Sequence, residues 1–390
     1  MSASFPGLWA EIAPIGRGAK GYSRYALTEP ELVLRDWFRN QADRRDMPVT
    51  EDGNGNLFAW WGEPWGHQAV LTGSHFDSVP HGGGYDGPLG IVSAFLAVDQ
   101  LRRQGHRPGK PLAIAAFVEE EGGRFGVPCL GSRLLTGAID PKTAAALKDR
   151  DGVTFGEALG AEPAGALPAI QGRIEALVEL HIEQGRALDV PVGVASAIWP
   201  HGRWRFDFTG RGDHAGTTRM ADRQDPMLTF AYTILAANKE ARLAGAHATI
   251  ARAEIEPNAT NAIPSLVRGW LDARAADTAT LDTLVEAVVK RANDRAGRDG
   301  TEVAVTAESV SAEVAFDTSL AARLADKLGG APILPTGAGH DAGVLSAHVP
   351  TAMLFVRNPT GVSHSPAEHA EDADCEAGVD ALATVLSDLT

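Results

Sequence analysis

Four times along this chain a short apolar stretch ends in histidine or clustered carboxylates, and that recurrence constrains the fold more than any single motif. The first stretch, Ala69 to Leu71, leads into GSHFDSVPHGGGYDG (73–87), which sets His75, Asp77, His81 and Asp86 in one glycine-rich segment. The second, LAIAAFV (112–118), ends at Glu119, Glu120 and Glu121. The third carries Leu177 and Val178 into ELHIEQG (179–185) with His181, and the fourth cluster is TGVSHSPAEHAEDAD (360–374), with His364 between serines. Short apolar runs bounded by turn residues and separated by helices point to an α/β fold with a largely parallel, mixed sheet. Loops at the C-terminal ends of such strands are where open sheets bind ligands. The glycines of 73–87 let the backbone bend sharply enough for His75 and Asp86 to converge. Imidazole and carboxylate within mutual reach suit a divalent metal such as zinc.

The glutamate cluster sharpens that expectation. Adjacent acidic side chains with no basic partner nearby in sequence are costly to assemble unless a cation neutralises them. One of them can bind metal while its neighbour, facing away, accepts a proton from water. The overall balance excludes other roles: a net charge of −15 argues against nucleic acid or an anionic membrane surface as the main partner. The two cysteines, Cys129 and Cys375, make no disulfide framework and fit a reducing compartment. The opening segment MSASFPGLWAEIAP lacks the charge and apolar pattern of a signal peptide, and no apolar run reaches membrane-span length, so the expected setting is the cytoplasm.

Elsewhere the pattern predicts a first helix from Thr28, with Glu31 completing a capping box, and a helix from about Leu89 to Leu101 after the glycine segment. Between residues 191 and 310 the rhythm changes. Trp204, Phe206 and Phe208 alternate as in a strand, and Asp225 with Pro226 opens a helix through Leu235. Strand-like runs at 248–256 and 265–274, a helical repeat from Leu281 to Val289, and a last alternating run at 301–308 complete the order β-α-β-β-α-β, a ferredoxin-like unit. This segment reads as a domain inserted into a discontinuous one formed by residues 1–190 and 311–390.

Seven segments in order carry a resemblance to a known family: GSHFDSVPHGGGYDG, FVEEEGGRFG (117–126), ELHIEQG, GDHAGTTRM (212–220), NATNAIP (258–264), GAGHDA (337–342) and GVSHSPAE (361–368). The chain resembles the M20 metallopeptidase-like amidohydrolases, and more narrowly the carbamoyl-amidase branch of N-carbamoyl-L-amino-acid hydrolases, allantoate amidohydrolases and β-ureidopropionases. The resemblance implies a dinuclear centre of two divalent ions (zinc, or manganese, nickel or cobalt) in the larger domain, and a lid and dimerisation role for the inserted one. Asp86 would bridge the ions, with His75 and His181 completing one and Glu121 and His364 the other. Asp77 would accept from the His75 ring N–H, and Glu120 would be the general base.

His214 would stabilise the oxyanion, reaching across from a partner subunit. Gln184, Asn261, Arg274 and the backbone of Gly337 and Gly339 would hold the substrate, Arg274 through its planar fork on a carboxylate. Peptidase relatives usually carry a carboxylate where this chain has His181, which favours a carbamoyl bond over a peptide bond. The expected activity is hydrolysis of a carbamoyl C–N bond in a small carboxylate-bearing molecule by a homodimer. The rival readings are an aminoacylase or dipeptidase of the same family, and a non-catalytic metal-binding protein on the same fold. Tyr85 and Arg219 stand where phenylalanine and proline are frequent in the family, and neither is a proposed ligand.

Overall fold

In the computed structural model, which describes residues 4–390, the apolar runs of the sequence become the interior of one large sheet. Helix α1 (Glu29–Asp43) precedes strands β1 (Val49–Glu51), β2 (Leu57–Trp61) and β3 (Ala69–His75). Helix α2 (Pro88–Arg103), β4 (Leu112–Phe117), β5 (Ile174–Ile182) and β6 (Val192–Ile198) follow. After a long excursion the chain returns through β11 (Ile333–Thr336) and β12 (Thr351–Val356) to a final helix, α5 (Asp372–Leu389). The principal strands lie in the order β6-β12-β5-β3-β4-β2-β1, with β11 and the short strand Val314–Ala315 both paired to β6.

The four central strands β12, β5, β3 and β4 are parallel, and the flanking β6, β2 and β1 are antiparallel to their neighbours. Mixed describes this sheet better than largely parallel. Every residue of β3, β4 and β12 is buried, which requires cover on both faces. Phe38 from α1, Phe95 and Val98 from α2, and Leu382 and Leu386 from α5 pack with Ile114, Val178 and Leu354 of the strands in one apolar core. Each such side chain contributes about 1.5–3 kcal/mol of transfer free energy on burial. Pairing places His75 opposite Phe117 and His181 opposite Phe355, so the four parallel strands run out at the same edge. That edge carries all four chemical clusters.

Helix α1 starts where the sequence puts it, with Thr28 as N-cap, but the capping box does not form. The Glu31 carboxylate accepts from the Leu27 N–H at 3.0 Å, one residue before the cap, and Thr28 Oγ1 donates to the Tyr25 carbonyl at 2.6 Å.

Two compact units divide the chain: the sheet unit, up to Ala197 and again from Ala315 to Thr390, and a second unit of Ile198–Val314. Strand β6 belongs to the large sheet, so the second unit starts after it. Its own elements are β7 (His201–Thr209), α3 (Pro226–Ala244), β8 (His247–Glu256), β9 (Leu266–Arg274), α4 (Thr278–Asp299) and β10 (Glu302–Ser311). The four strands form an antiparallel sheet in the order β8-β9-β7-β10. Alternation does the work here: Trp204, Phe206 and Phe208 face a core shared with Phe230 of α3 and with Leu281, Leu284 and Val288 of α4. The Asp225 side chain caps α3 through the Met227 N–H, and the helix runs on to Ala244, well beyond Leu235. Among the described residues no helix is long and apolar enough to cross a membrane.

Candidate metal centre

Strand β3 ends on His75, and the glycine loop brings Asp86 back to it immediately before α2. Gly87 caps that helix at φ +85, and a Cβ there would lie 2.5 Å from the His75 ring. Only glycine lets the helix start so close to the imidazole. The Asp86 carboxylate is then shared between two groups of ligand atoms. Its Oδ1 lies 3.5 Å from His75 Nε2 and 3.2 Å from His181 Nε2. Its Oδ2 lies 3.4 Å from His364 Nε2, which is itself 3.3 Å from Glu121 Oε2. His75, Asp86 and His181 thus form one three-ligand cluster, and Asp86, Glu121 and His364 a second.

The tautomers support metal binding. His75 Nδ1 donates to the Asp77 carbonyl at 3.0 Å and His181 Nδ1 donates to the Ile182 carbonyl at 2.8 Å. A carbonyl can only accept, so each proton sits on Nδ1 and each Nε2 presents a bare lone pair. Both Nε2 atoms are buried without a hydrogen-bond partner. Buried polar atoms are rarely left so, and a cation is the partner that two converging lone pairs and a carboxylate suit. The residues present therefore fit a pair of divalent cations.

Asp77 accepts the His75 ring proton, but not through its carboxylate. Its carboxylate stands 3.7 Å from His75 Nδ1, while its backbone carbonyl takes the ring proton. The carboxylate instead accepts the backbone N–H groups of Glu120 at 3.1 Å and Glu121 at 3.0 Å. Asp77 therefore holds the turn after β4, where Glu119 sits at φ +54, and aims the two glutamates. Glu120 Oε2 lies 3.6 Å from His75 Nε2, and its Oε1 receives the Cys129 thiol at 3.6 Å.

The electrostatics match a centre built around added positive charge. Burial pushes the Glu120 carboxyl well above its ordinary range, against the opposing pull of His75. Burial and then the charge of Asp86 lift Glu121 to about 8. Burial also acts to raise Asp86, but the imidazoles of His181, His364 and His75 that face its oxygens override it and hold Asp86 well below the usual carboxylate range. The Asp86 hydrogen bond raises His364 to about 9. A divalent cation relieves the crowding of buried carboxylates that these shifts express.

Gln184 Nε2 and Ser363 Oγ both donate to Asp86 Oδ2. Gly337 and Gly339 lie in the loop between β11 and the short helix that starts at Asp341. His214, Asn261 and Arg274 belong to the second unit. There the exposed His214 accepts the Gly216 and Thr217 N–H groups at Nδ1, 3.0 and 3.2 Å away, so its proton sits on Nε2. The Ala215 N–H donates to the Asn261 carbonyl at 2.9 Å, which sets those two segments side by side. The Arg274 guanidinium meets Asp272 at 3.0 Å. His81 is exposed at φ +61 and belongs to none of the ligand groups.

Several buried polar residues around the centre were not picked out by the sequence reading. Glu368 Oε1 accepts the Tyr85 N–H at 2.8 Å and the Asp86 N–H at 3.0 Å, tying the loop of His364 to that of Asp86. Glu179 accepts Ser74 Oγ at 2.8 Å and the Ala342 N–H at 3.0 Å. Asp341 accepts the Ser132 hydroxyl. His340 is 2 % exposed and packs its ring against that of His181, with centroids 4.5 Å apart. Burial and then His181 hold its pKa well below the ordinary value. Glu179 lies two residues before His181 on the same strand face, a signal the sequence did contain. His340 and Glu368 sit inside segments already noted, with nothing in their spacing to mark them.

Comparison with known proteins places these features in company. A family model described as Peptidase family M20/M25/M40 matches residues 71–388. The N-carbamoyl-L-amino acid amidohydrolase of Geobacillus stearothermophilus is 34% identical over 96% of this chain and 96% of its own. The allantoate amidohydrolase of Escherichia coli K12 is 32% identical over 95% of this chain and 93% of its own. Among solved structures, a hydantoinase/carbamoylase family amidase from Burkholderia multivorans superposes with a TM-score of 0.87 at 30% identity, covering 100% of this chain and 98% of that one.

Proposed function

Because the chain belongs to peptidase family M20/M25/M40, we propose that it is a metal-dependent amidohydrolase that cleaves the carbamoyl C–N bond of a small carboxylate-bearing ureide. N-carbamoyl-L-amino acids and allantoate are the substrate types we favour; water is consumed and the amine, ammonia and carbon dioxide leave. One observation carries the reading: a single carboxylate, Asp86, faces His75 and His181 through one oxygen and His364 through the other. Relatives at 34% and 32% identity over nearly the whole chain are named for N-carbamoyl-L-amino acids and for allantoate, and they support that bond over a peptide. His181, held as an Nδ1–H tautomer by the Ile182 carbonyl, is consistent with the same choice.

In this reading His75 and His181 would hold one divalent ion, Glu121 and His364 would hold a second, and Asp86 would contribute to both; zinc, manganese, nickel and cobalt are the candidates. When bound, two such ions polarise a carbonyl and lower the pKa of water toward neutrality. Glu120 takes the proton from the attacking water and delivers it to the leaving nitrogen. Burial raises its proton affinity, the direction a group that takes up a proton requires. Asp77 keeps Glu120 and Glu121 in register through their backbone N–H groups.

We assign the second unit, with its β-α-β-β-α-β order, as a ferredoxin-like lid and dimerisation domain of a cytoplasmic homodimer. His214, protonated on Nε2, is the donor to the developing oxyanion. Gln184, Asn261, Arg274 and the backbone of Gly337 and Gly339 bind the substrate; Arg274 exchanges Asp272 for the substrate carboxylate.

The test is a panel of N-carbamoyl-α-amino acids of both hands, N-carbamoyl-β-alanine, allantoate and matching N-acetyl compounds, each with the four metals. Ammonia from the carbamoyl series alone supports the proposal. Acetate release in preference to ammonia supports an aminoacylase, and binding without turnover supports a non-catalytic protein.

A further inference from the structure

Three arginines are buried among the described residues, and two of them have acidic partners, Arg35 with Glu31 and Arg45 with Asp99. Arg24, the most buried at 1 % exposure, is held by backbone carbonyls instead. Its Nε donates to Ile15 at 2.9 Å, Nη2 to Ile12 at 3.2 Å and Nη1 to Gly84 at 3.4 Å, while the guanidinium lies 4.2 Å from the centre of the Tyr22 ring. Burial lowers its pKa to about 10, so it stays charged near neutral pH. A buried charge without an acidic partner is costly, and its presence marks a constraint that the rest of the fold sustains.

The three carbonyls come from two parts of the chain. Ile12 and Ile15 belong to the short first helix, Phe5–Ile12, and the turn after it, whereas Gly84 lies in the glycine loop, two residues before Asp86. The same N-terminal segment grips that loop at further points. Tyr22 and Gly82 exchange backbone hydrogen bonds, both at 3.0 Å. The Arg24 N–H donates to Ser78 Oγ and the Ser78 N–H to the Arg24 carbonyl, each at 3.0 Å. The Trp9 ring stacks on that of Tyr85, centroids 4.6 Å apart. A Cβ on Gly21 would lie 2.6 Å from the His81 carbonyl oxygen, and one on Gly84 2.9 Å from the Tyr22 ring, so the two segments touch without slack. Residues 82–84 are three successive glycines with little conformational preference of their own, and the shape of the loop must come from what it lies against.

We propose that Arg24 is a positioning residue for the metal centre: it fastens the N-terminal segment across residues 78–86 and so holds Asp86 where both ions need it. The inference rests on the reading of Asp86 as the shared ligand and specifies what keeps that carboxylate in place. Loop conformers that carry Asp86 away from His75 and His181 lose a ligand, and the apparent affinity for metal falls with the fraction of molecules whose loop is competent. The planar guanidinium fork reaches carbonyls on both segments at once, a task that neither the single ammonium of lysine nor an apolar side chain performs. A residue that served the fold alone would change stability and leave the metal affinity of the folded protein as it was.

The experiment compares wild type with Arg24→Met, Arg24→Lys and a control, Val288→Ala, which opens a cavity in the core of the second unit. It reads zinc affinity by competition with a chromogenic chelator, hydrogen exchange of residues 78–87 in the metal-free protein, and urea unfolding. Arg24→Met is expected to weaken zinc binding about 10- to 100-fold and to speed exchange in the loop. Arg24→Lys keeps the charge but not the fork; it is expected to weaken zinc binding about 10-fold, and it carries the test alone if the methionine variant does not fold. Val288→Ala is expected to unfold at lower urea with the zinc affinity and loop exchange of wild type. Wild-type zinc affinity in the folded Arg24 variants, unchanged loop exchange, or an equal loss of zinc affinity in Val288→Ala overturns the proposal. A wild type that binds no zinc refutes the metal centre itself, an outcome distinct from any difference among the variants.

Discussion

Replacing Glu368 tests whether the bridging carboxylate is held in place by the loop that carries His364. Glu368 Oε1 accepts the Tyr85 and Asp86 N–H groups at 2.8 and 3.0 Å, and the residue is 6% exposed. Gly83 packs so closely beneath it that a Cβ would lie 2.3 Å from the carboxyl carbon, so the loop has no room to rearrange around a different anchor. Glu368→Ala leaves the buried Asp86 N–H unpaired, at about 1–3 kcal/mol, and the half-buried Tyr85 N–H at less, for about 2–4 kcal/mol together. That is a large part of the 5–15 kcal/mol typical of a folded domain. Because the Asp86 N–H is one of the two donors, part of the loss falls on metal binding, and outer partners of ligands typically alter affinity about 10- to 100-fold. Glu368→Gln keeps the accepting oxygen and should stay within about 1 kcal/mol of wild type. Urea unfolding and competition with a chromogenic chelator read both effects. If the alanine variant holds metal and resists urea as well as the glutamine variant does, the clamp is not what fixes Asp86.

Three further outcomes are expected. Glu120→Gln should retain its metals and lose about 100- to 10,000-fold in kcat, the usual worth of a general base; metal analysis beside steady-state kinetics shows whether substantial turnover survives and removes Glu120 from that role. His214→Ala should be inactive alone and regain activity when mixed with Glu120→Gln if the histidine is supplied by a second copy; no recovery after demonstrated subunit exchange refutes supply in trans. The chelated protein should lose unfolding free energy as pH rises from about 5 to about 8. Burial lifts Glu121 and Asp341 to about 8, so the native chain keeps protons that the unfolded chain releases nearer its ordinary carboxylate pKa. Their stabilisation is complete below the unfolded value and is lost as pH climbs through the folded one. Denaturant titrations at fixed pH check the sign, and a rise over that window refutes it.

The four ligand clusters were legible because each occupies the last residues of a strand, or the loop just after one, in a parallel sheet. Apolar runs then mark the strands and the first polar residues mark the edge. The second unit was legible for a similar reason, since Trp204, Phe206 and Phe208 alternate against helices with helical spacing. What the sequence did not disclose is direction. Asp77 lies two residues from His75, yet its carboxylate turns to the Glu120 and Glu121 N–H groups, which come from another strand. The Glu31 carboxylate likewise reaches Leu27 instead of Thr28. Glu368 and His340 acquire meaning only from contacts with distant parts of the chain, Tyr85 in one case and His181 in the other. No periodicity records such pairings.

Asp86 is proposed to bridge two ions at the edge of the parallel strands. Anomalous diffraction from crystals of the zinc- or manganese-loaded protein measures it directly. Two peaks are expected, one among His75, Asp86 and His181 and the other among Asp86, Glu121 and His364. A single peak on one side of Asp86, or a peak among Glu179, His181 and His340, would contradict it.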